Sequence, residues 1–216
     1  QLTPSLLAEI SAKQVGGPLY PPIHGFAYAP LALLPPQRAY FLFQWICLGL
    51  AFFSGYGASY MSRGRIAWPL ATTLILLWPG FRSGLDLGQN PAITLAIAIW
   101  GWALLVRGRE TAGGMVWGLF AIKPVWGLAF VLVPLLMGRV RFSAAMAITG
   151  CSLAAATLPF TGIQTWKDWL AVGNLATATY DVNKNWVELS RDVQSLPRRV
   201  LLDFGKPEHE RHDPLA

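Results

Sequence analysis

The chain has 216 residues, of which 54% are hydrophobic and 13% charged, with a formal net charge of +6. Soluble proteins carry roughly 25% charged residues, so composition argues against a soluble globular domain and for burial in lipid. The positive excess does not point to nucleic acid, because the cations fall in short breaks between apolar runs, where the positive-inside bias of membrane proteins places them.

Residues 1–37 are proline-rich, with Gly16-Gly17-Pro18-Leu19-Tyr20-Pro21-Pro22 and Leu34-Pro35-Pro36. Proline at these intervals is incompatible with one regular helix, so a loop is expected here. The stretches 39–62, 66–81, 87–106 and 142–166 then contain no Asp, Glu, Lys or Arg. Helices of a soluble domain keep a polar face, whereas a bilayer core needs about 20 apolar residues per helix. Membrane spans are therefore expected at about 38–61, 91–106 and 142–160, with a shorter one at 66–79. Trp68 and Trp78 bracket that short span, as interfacial tryptophans do. Cys47 and Cys151 both fall in apolar spans and read as small buried hydrophobes; no Cys/His spacing suggests a metal.

The stretch 111–138 carries a single charge, Lys123. It is too long for one ordinary span, and Lys123-Pro124 is its natural turning point, because the residue before proline is disfavoured in a helix. Two short arms, forming a hairpin buried in protein, are expected. A polar tail follows over 161–216. Its charges, among them Asp168, Asp181, Glu188, Arg191 and Asp192, read as solvated loop residues. The chain opens on Gln1 without a signal-peptide pattern, and it is expected to be a partial domain.

The breaks between spans read Arg63-Gly-Arg65, Arg107-Gly-Arg109 and Arg139-Val-Arg141. Placing all three in the cytoplasm puts every other connection on the far side. The expected fold is an all-α polytopic transmembrane helical bundle in the inner (plasma) membrane. It has an extracytoplasmic loop at 1–37, a helical domain at 38–160 with about four full spans plus the hairpin, and an extracytoplasmic tail at 161–216. The polar segments thus converge on one extracytoplasmic face.

Three of those segments carry candidate chemistry. In the loop Arg82-Ser83-Gly84-Leu85-Asp86-Leu87-Gly88-Gln89-Asn90-Pro91, Asn90 fits an N-cap and Pro91 a first helical turn. The same geometry, with Gly88 allowing close approach, suits an anion, and Arg82 and Asp86 add a cation and a base. Lys123 is costly at membrane depth, so it is either a site cation or a lysine snorkelling to the interface. Tyr20-Pro21-Pro22 and His24 read as a rigid linker or as part of the site. Phosphate-binding loops, nucleophile elbows and zinc helices are missing, so an enzyme of this kind takes an activated substrate from the membrane or from outside.

Tyr20-Pro-Pro, then Tyr28-Ala-Pro-Leu-Ala-Leu-Leu-Pro35, Ala39 and Trp45, resembles the opening of glycosyltransferase family 87. So does Leu87-Gly88-Gln89-Asn90-Pro91, followed by Ala112-Gly113 and by Gly118-Leu-Phe-Ala-Ile-Lys123-Pro124. The order and spacing hold over about residues 16–160. The resemblance implies a GT-C-like, multi-helix enzyme that transfers a hexose, typically mannose, from a polyprenyl-phosphate donor to an extracytoplasmic glycan or glycolipid acceptor, with inversion. It implies an aspartate in the first outer loop as general base, basic residues on the departing phosphate, and no metal or other cofactor. Carried over by position, Lys123, Gly88, Gln89, Asn90 and Tyr20 are substrate- or phosphate-binding candidates, with Arg82 and His24 beside them. The family's aspartate lies upstream of the Tyr-Pro motif, where residues 1–19 hold only Glu9 as an acid; Asp86 is the substitute candidate for the base. Two other classes fit the same composition: a transporter or flippase of a lipid-linked or anionic solute, and a non-catalytic membrane scaffold.

Overall fold

A computed structural model describes residues 20–86 and 88–182, with side chains described as far as Asn174. Glu9, Glu188, Arg191, Asp192 and the side chain of Asp181 lie outside the described residues. Contacts divide the chain into two compact units, Tyr20–Trp166 and a second made of Gln1–Leu19 with Lys167–Ala216. The candidate site lies in the first.

Among the described residues the chain is helical, with no strand. The helices are α1 (Pro22–Tyr28), α2 (Pro36–Met61), α3 (Trp68–Leu77), α4 (Pro79–Asp86), α5 (Pro91–Val106), α6 (Glu110–Gly118), α7 (Pro124–Leu136) and α8 (Val140–Val182). Short 3-10 turns at Leu31–Leu33 and Leu119–Ile122 precede α2 and follow α6. Proline occupies the first or second position of α1, α2, α3, α5 and α7. Its missing N–H is one that a helix start leaves unpaired in any case, and its fixed φ is already helical.

The exits follow one rule as well. After α4, Gly88 adopts φ 61, its N–H bonds Leu85 O, and the next N–H, that of Gln89, reaches back to Gly84 O at 2.8 Å. This is a Schellman motif, which needs a left-handed residue at its pivot and so favours glycine. Gly108 and Gly138 turn the chain the same way after α5 and α7, with Arg109 bonding Leu104 O and Arg139 bonding Pro134 O.

Small residues set the packing. α2 packs mainly against α5 and α3, and α5 against α6. Ala51, Ser54, Gly55 and Gly57 of α2 are buried, and a side chain added at Gly55 would collide with Thr72 of α3. Close backbone approach of this kind replaces the hydrophobic drive that lipid cannot supply. The core between α5, α6, α7 and α8 centres on Trp117, which is 2% exposed. Its indole donates to Ala98 O at 3.1 Å, and Phe130 and Phe142 stand edge-on to its ring.

Two helices are long and apolar enough to cross a bilayer, α2 and the 140–174 part of α8. The core helix of a soluble protein would be mostly buried, yet only 33% and 11% of their apolar windows are. Phe41, Trp45, Phe52 and Tyr56 on α2 face outward, as do Ile148 and Phe160 on α8. Soluble monomers do not expose contiguous apolar surface on this scale, so this is a membrane protein. α3, α5 and α7 are apolar but shorter; the 16 residues of α5 reach about 24 Å at 1.5 Å per residue.

The structure departs from the sequence expectations at five places. The described part of the expected 1–37 loop is largely helical, because Pro22 starts α1 and a 3-10 turn follows at Leu31–Leu33; its prolines stand at helix starts, where they are tolerated. Part of the expected 82–90 loop is helical, because α4 extends to Asp86 before Gly88 ends it. The second arm of the hairpin is not buried in protein: Val125, Leu128, Leu132 and Leu136 of α7 are exposed, and only Pro134 is buried. Helix continues beyond Phe160, because Gly162, at φ 71 and ψ 163, bends the chain and helical pairing then resumes to Val182. Cys151 is exposed on α8, whereas Cys47 is fully buried.

Candidate functional site

Tyr20, His24 and Tyr28 recur every four residues, the spacing that puts side chains on one face of a helix. Their rings form a continuous stack, with centroids 4.2 Å apart from Tyr20 to His24 and 4.5 Å from His24 to Tyr28. Tyr28 ends the stack against Phe43 of α2. The α4–α5 connection closes on this stripe. The Tyr20 hydroxyl donates to Gln89 Oε1 at 3.1 Å, and Asn90 Nδ2 lies 3.4 Å from His24 Nε2. Tyr40 of α2 holds the same connection from the other side, donating to Leu85 O at 2.9 Å.

Asn90 therefore sits at the N-cap position of α5 without capping it. It makes no side-chain cap bond, and its ψ of 39° lies away from the extended conformation a capping residue adopts. Its amide is turned to His24 instead. An amide NH₂ only donates, so the pairing requires an unprotonated Nε2. The environment agrees: burial lowers the His24 pKa below its ordinary value, and the Lys123 charge lowers it further. Burial raises Tyr20, and it pushes Tyr28 up to about 12, so both phenols stay protonated.

Lys123 enters from the connection between α6 and α7. Its N–H bonds Phe120 O at 2.7 Å, and its carbonyl receives the first N–H groups of α7 from Trp126 and Gly127. The backbone is thus fixed on both sides of the cation. Nζ lies 5.8 Å from the Tyr20 ring centre and 5.9 Å from that of Trp126, the outer range of a cation–π contact. Burial lowers its pKa. Among the described residues no carboxylate stands within ion-pair distance of it.

Five sequence candidates are thus brought together: Tyr20, His24, Gln89, Asn90 and Lys123. Gly88 contributes as the pivot ending α4. Arg82 and Asp86 are exposed on α4, their side chains outside the contacts that join the cluster; the Tyr40 hydroxyl reaches the Asp86 carbonyl at 3.5 Å. Tyr28, Tyr40 and Trp126 went unrecognised as site residues. The four-residue spacing from Tyr20 through His24 was the available signal for Tyr28; Tyr40 and Trp126 had none.

The arginine breaks gather at the other end. Arg107 donates to Tyr60 O through Nε at 3.1 Å and Nη2 at 2.6 Å and stacks over the Tyr60 ring, satisfying a terminal carbonyl of α2. Arg139 pairs with Glu110 at 2.7 Å. A hollow of about 760 Å³ opens here, remote from Lys123. Tyr40, at the candidate site, and Tyr60, at the arginine end, are 20 residues apart on one helix, about 30 Å. That distance equals the hydrocarbon thickness of a bilayer.

The arrangement can hold an anion at the bilayer surface beside hydroxyl and amide groups, with apolar helix faces leading to it. No curated protein matches the chain, and no solved structure does. A sequence profile of glycosyltransferase family 87 matches residues 19–200, which include every residue of the cluster. The chain therefore belongs to glycosyltransferase family 87 and is a membrane glycosyltransferase.

Proposed function

We propose that the enzyme transfers a hexose, mannose being the first candidate, from a polyprenyl-phosphate donor to an extracytoplasmic glycan or glycolipid acceptor, inverting the anomeric centre. One observation carries this reading: Lys123 is a half-buried cation with no acid partner among the described residues, held between aromatic rings at one end of the bundle. A lysine so placed awaits an anion, and a lipid phosphate reaches the interface at that depth. Exposed apolar faces such as that of α2 offer a path for the polyprenyl chain.

In this mechanism Lys123 neutralises the charge that develops on the phosphate oxygen as the sugar–phosphate bond breaks. The Tyr20 hydroxyl and the amides of Gln89 and Asn90 orient the donor, and Arg82 approaches the phosphate from α4. Asp86 takes the proton of the acceptor hydroxyl; it is the single acid in residues 20–109. Protein cations hold the leaving phosphate without a metal. The active face is extracytoplasmic in a multi-pass inner-membrane protein, which the distance between the Lys123 end and the three arginine breaks supports.

The test is sugar transfer from a polyprenyl-phosphate mannose donor by membranes carrying Lys123→Ala, Lys123→Arg or Asp86→Asn, with insertion checked separately. Lys123→Ala is expected to lose transfer while inserting normally, and Lys123→Arg to retain part of it. Full turnover in Lys123→Ala would remove the basis of the proposal. Full turnover in Asp86→Asn would remove only the assignment of the base.

A further inference from the structure

The arginines of the second and third breaks are not equally engaged. Arg107 is committed to the Tyr60 carbonyl and ring. Arg139 is committed to Glu110. Arg109 and Arg141 are different: both are exposed, and among the described residues neither side chain meets an acid or a hydrogen-bond acceptor. They come from separate connections, α5–α6 and the start of α8, yet both line the hollow of about 760 Å³. Gly108, Glu110, Thr111, Ala112, Gly138 and Val140 complete its wall.

The chemistry of that wall is selective. Glu110 is its one acid, and Arg139 already matches its charge, so two guanidinium groups remain uncompensated. Gly108 and Gly138 have open space where a side chain would stand, which keeps the hollow clear. Its volume falls in the range of small-molecule sites. A guanidinium presents a planar fork of donors that fits phosphate oxygens. The hollow also lies at the far ends of α6 and α7 from Lys123, about 20 Å away along the 13 residues of α7, on the side of the opposite leaflet's headgroups.

We propose that the hollow is a phosphate-binding site distinct from the catalytic end, in which Arg109 and Arg141 bracket one phosphate group. That phosphate belongs either to an anionic phospholipid headgroup or to a soluble phosphate. The assignment stands on this end of the molecule alone and does not depend on the donor reading of Lys123.

The experiment is thermal unfolding of the full chain in nanodiscs, read for three proteins and three conditions. The conditions are phosphatidylcholine alone, phosphatidylcholine mixed with phosphatidylglycerol, and phosphatidylcholine with inorganic phosphate at constant ionic strength. A ligand that binds only the folded state raises the melting temperature, and a rise of about 5 °C is expected. Arg109→Gln with Arg141→Gln is expected to abolish most of it. Arg63→Gln with Arg65→Gln removes the same charge from the same end but outside the hollow, and it is expected to keep the rise. A rise with phosphatidylglycerol alone assigns the lipid source, and a rise with inorganic phosphate assigns the soluble one. No rise under either condition, or equal loss in both double variants, overturns the site, the latter because a diffuse positive field would then suffice. Native mass spectrometry of phosphatidylglycerol and phosphate retained by each single variant, Arg109→Gln and Arg141→Gln, decides the matter where the double variant does not fold.

Discussion

The two ends of the bundle handle positive charge in opposite ways. At one end six arginines crowd three short breaks, and those described in detail are exposed, paired with Glu110 or bonded to a backbone carbonyl. At the other end a single lysine is half-buried, flanked by Tyr20 and Trp126, with no acid at ion-pair distance among the described residues. Number of charges is therefore a poor guide to function in this chain. The cost of a charge rises with its burial, and the expensive one is the lone lysine.

The comparison breaks most sharply if the two kinds of cation are removed in turn. Lys123→Ala is expected to lower the transfer rate about 10²- to 10³-fold, the scale of losing one group that stabilises developing negative charge. Arg139→Ala should leave transfer within a factor of about two, since an exposed ion pair contributes roughly 0–1 kcal/mol. Parallel transfer assays on the two variants decide this, and equal losses would erase the distinction.

The next largest effect concerns the packing that joins the ends. α6 starts at the Arg139–Glu110 pair and leads to Lys123, and it packs on α8 through Gly114. A methyl group at Gly114 would meet the carbonyl oxygen of Phe142, which is backbone and cannot rotate away. Gly114→Ala is expected to cost about 2 kcal/mol by overpacking, read as a lower midpoint in thermal or denaturant unfolding. An unchanged midpoint would show that α6 and α8 slide freely.

The smallest effect separates the ends by pH. Burial, joined by the Lys123 charge, holds the folded-state pKa of His24 below its ordinary value of 6.5. The folded protein therefore resists protonation more than the unfolded chain does. This contribution to stability is fully present above about pH 6.5 and is lost as the pH falls through the lowered folded value. The melting temperature should drop between pH 7.5 and 5.5, and His24→Asn should flatten that drop. An identical pH profile in the variant would mean that other groups govern acid stability.

Much of the fold was legible because lipid leaves a simple mark. Charge-free lengths located α2, α5 and α8, and Lys123-Pro124 marked the helix break before α7. Two features misled. Pro159 and Gly162 look like a helix stop, yet Gly162 spends one left-handed residue and the helix resumes. The glycines and polar residues of 82–90 look like a loop, yet Pro79 starts a helix that Gly88 ends. In the site, Lys123 stood out by its isolation and Gln89-Asn90 by family resemblance. What Asn90 does was not legible, since an N-cap and a partner for a histidine 66 residues away share one sequence pattern. That choice is made by tertiary contact.

The brevity of α1 has a consequence for how the donor meets the enzyme. A helix of seven residues is far below the length that holds together alone in water, so the order of the Tyr20–His24–Tyr28 stack is lent by the Gln89-Asn90 connection and by Phe43. Such a segment opens locally at a lower free energy than the bundle beneath it. In hydrogen exchange the α1 amides should be the first to lose protection, well before those of α2. Saturating donor should slow them selectively, making the seven residues of α1 a reporter of occupancy.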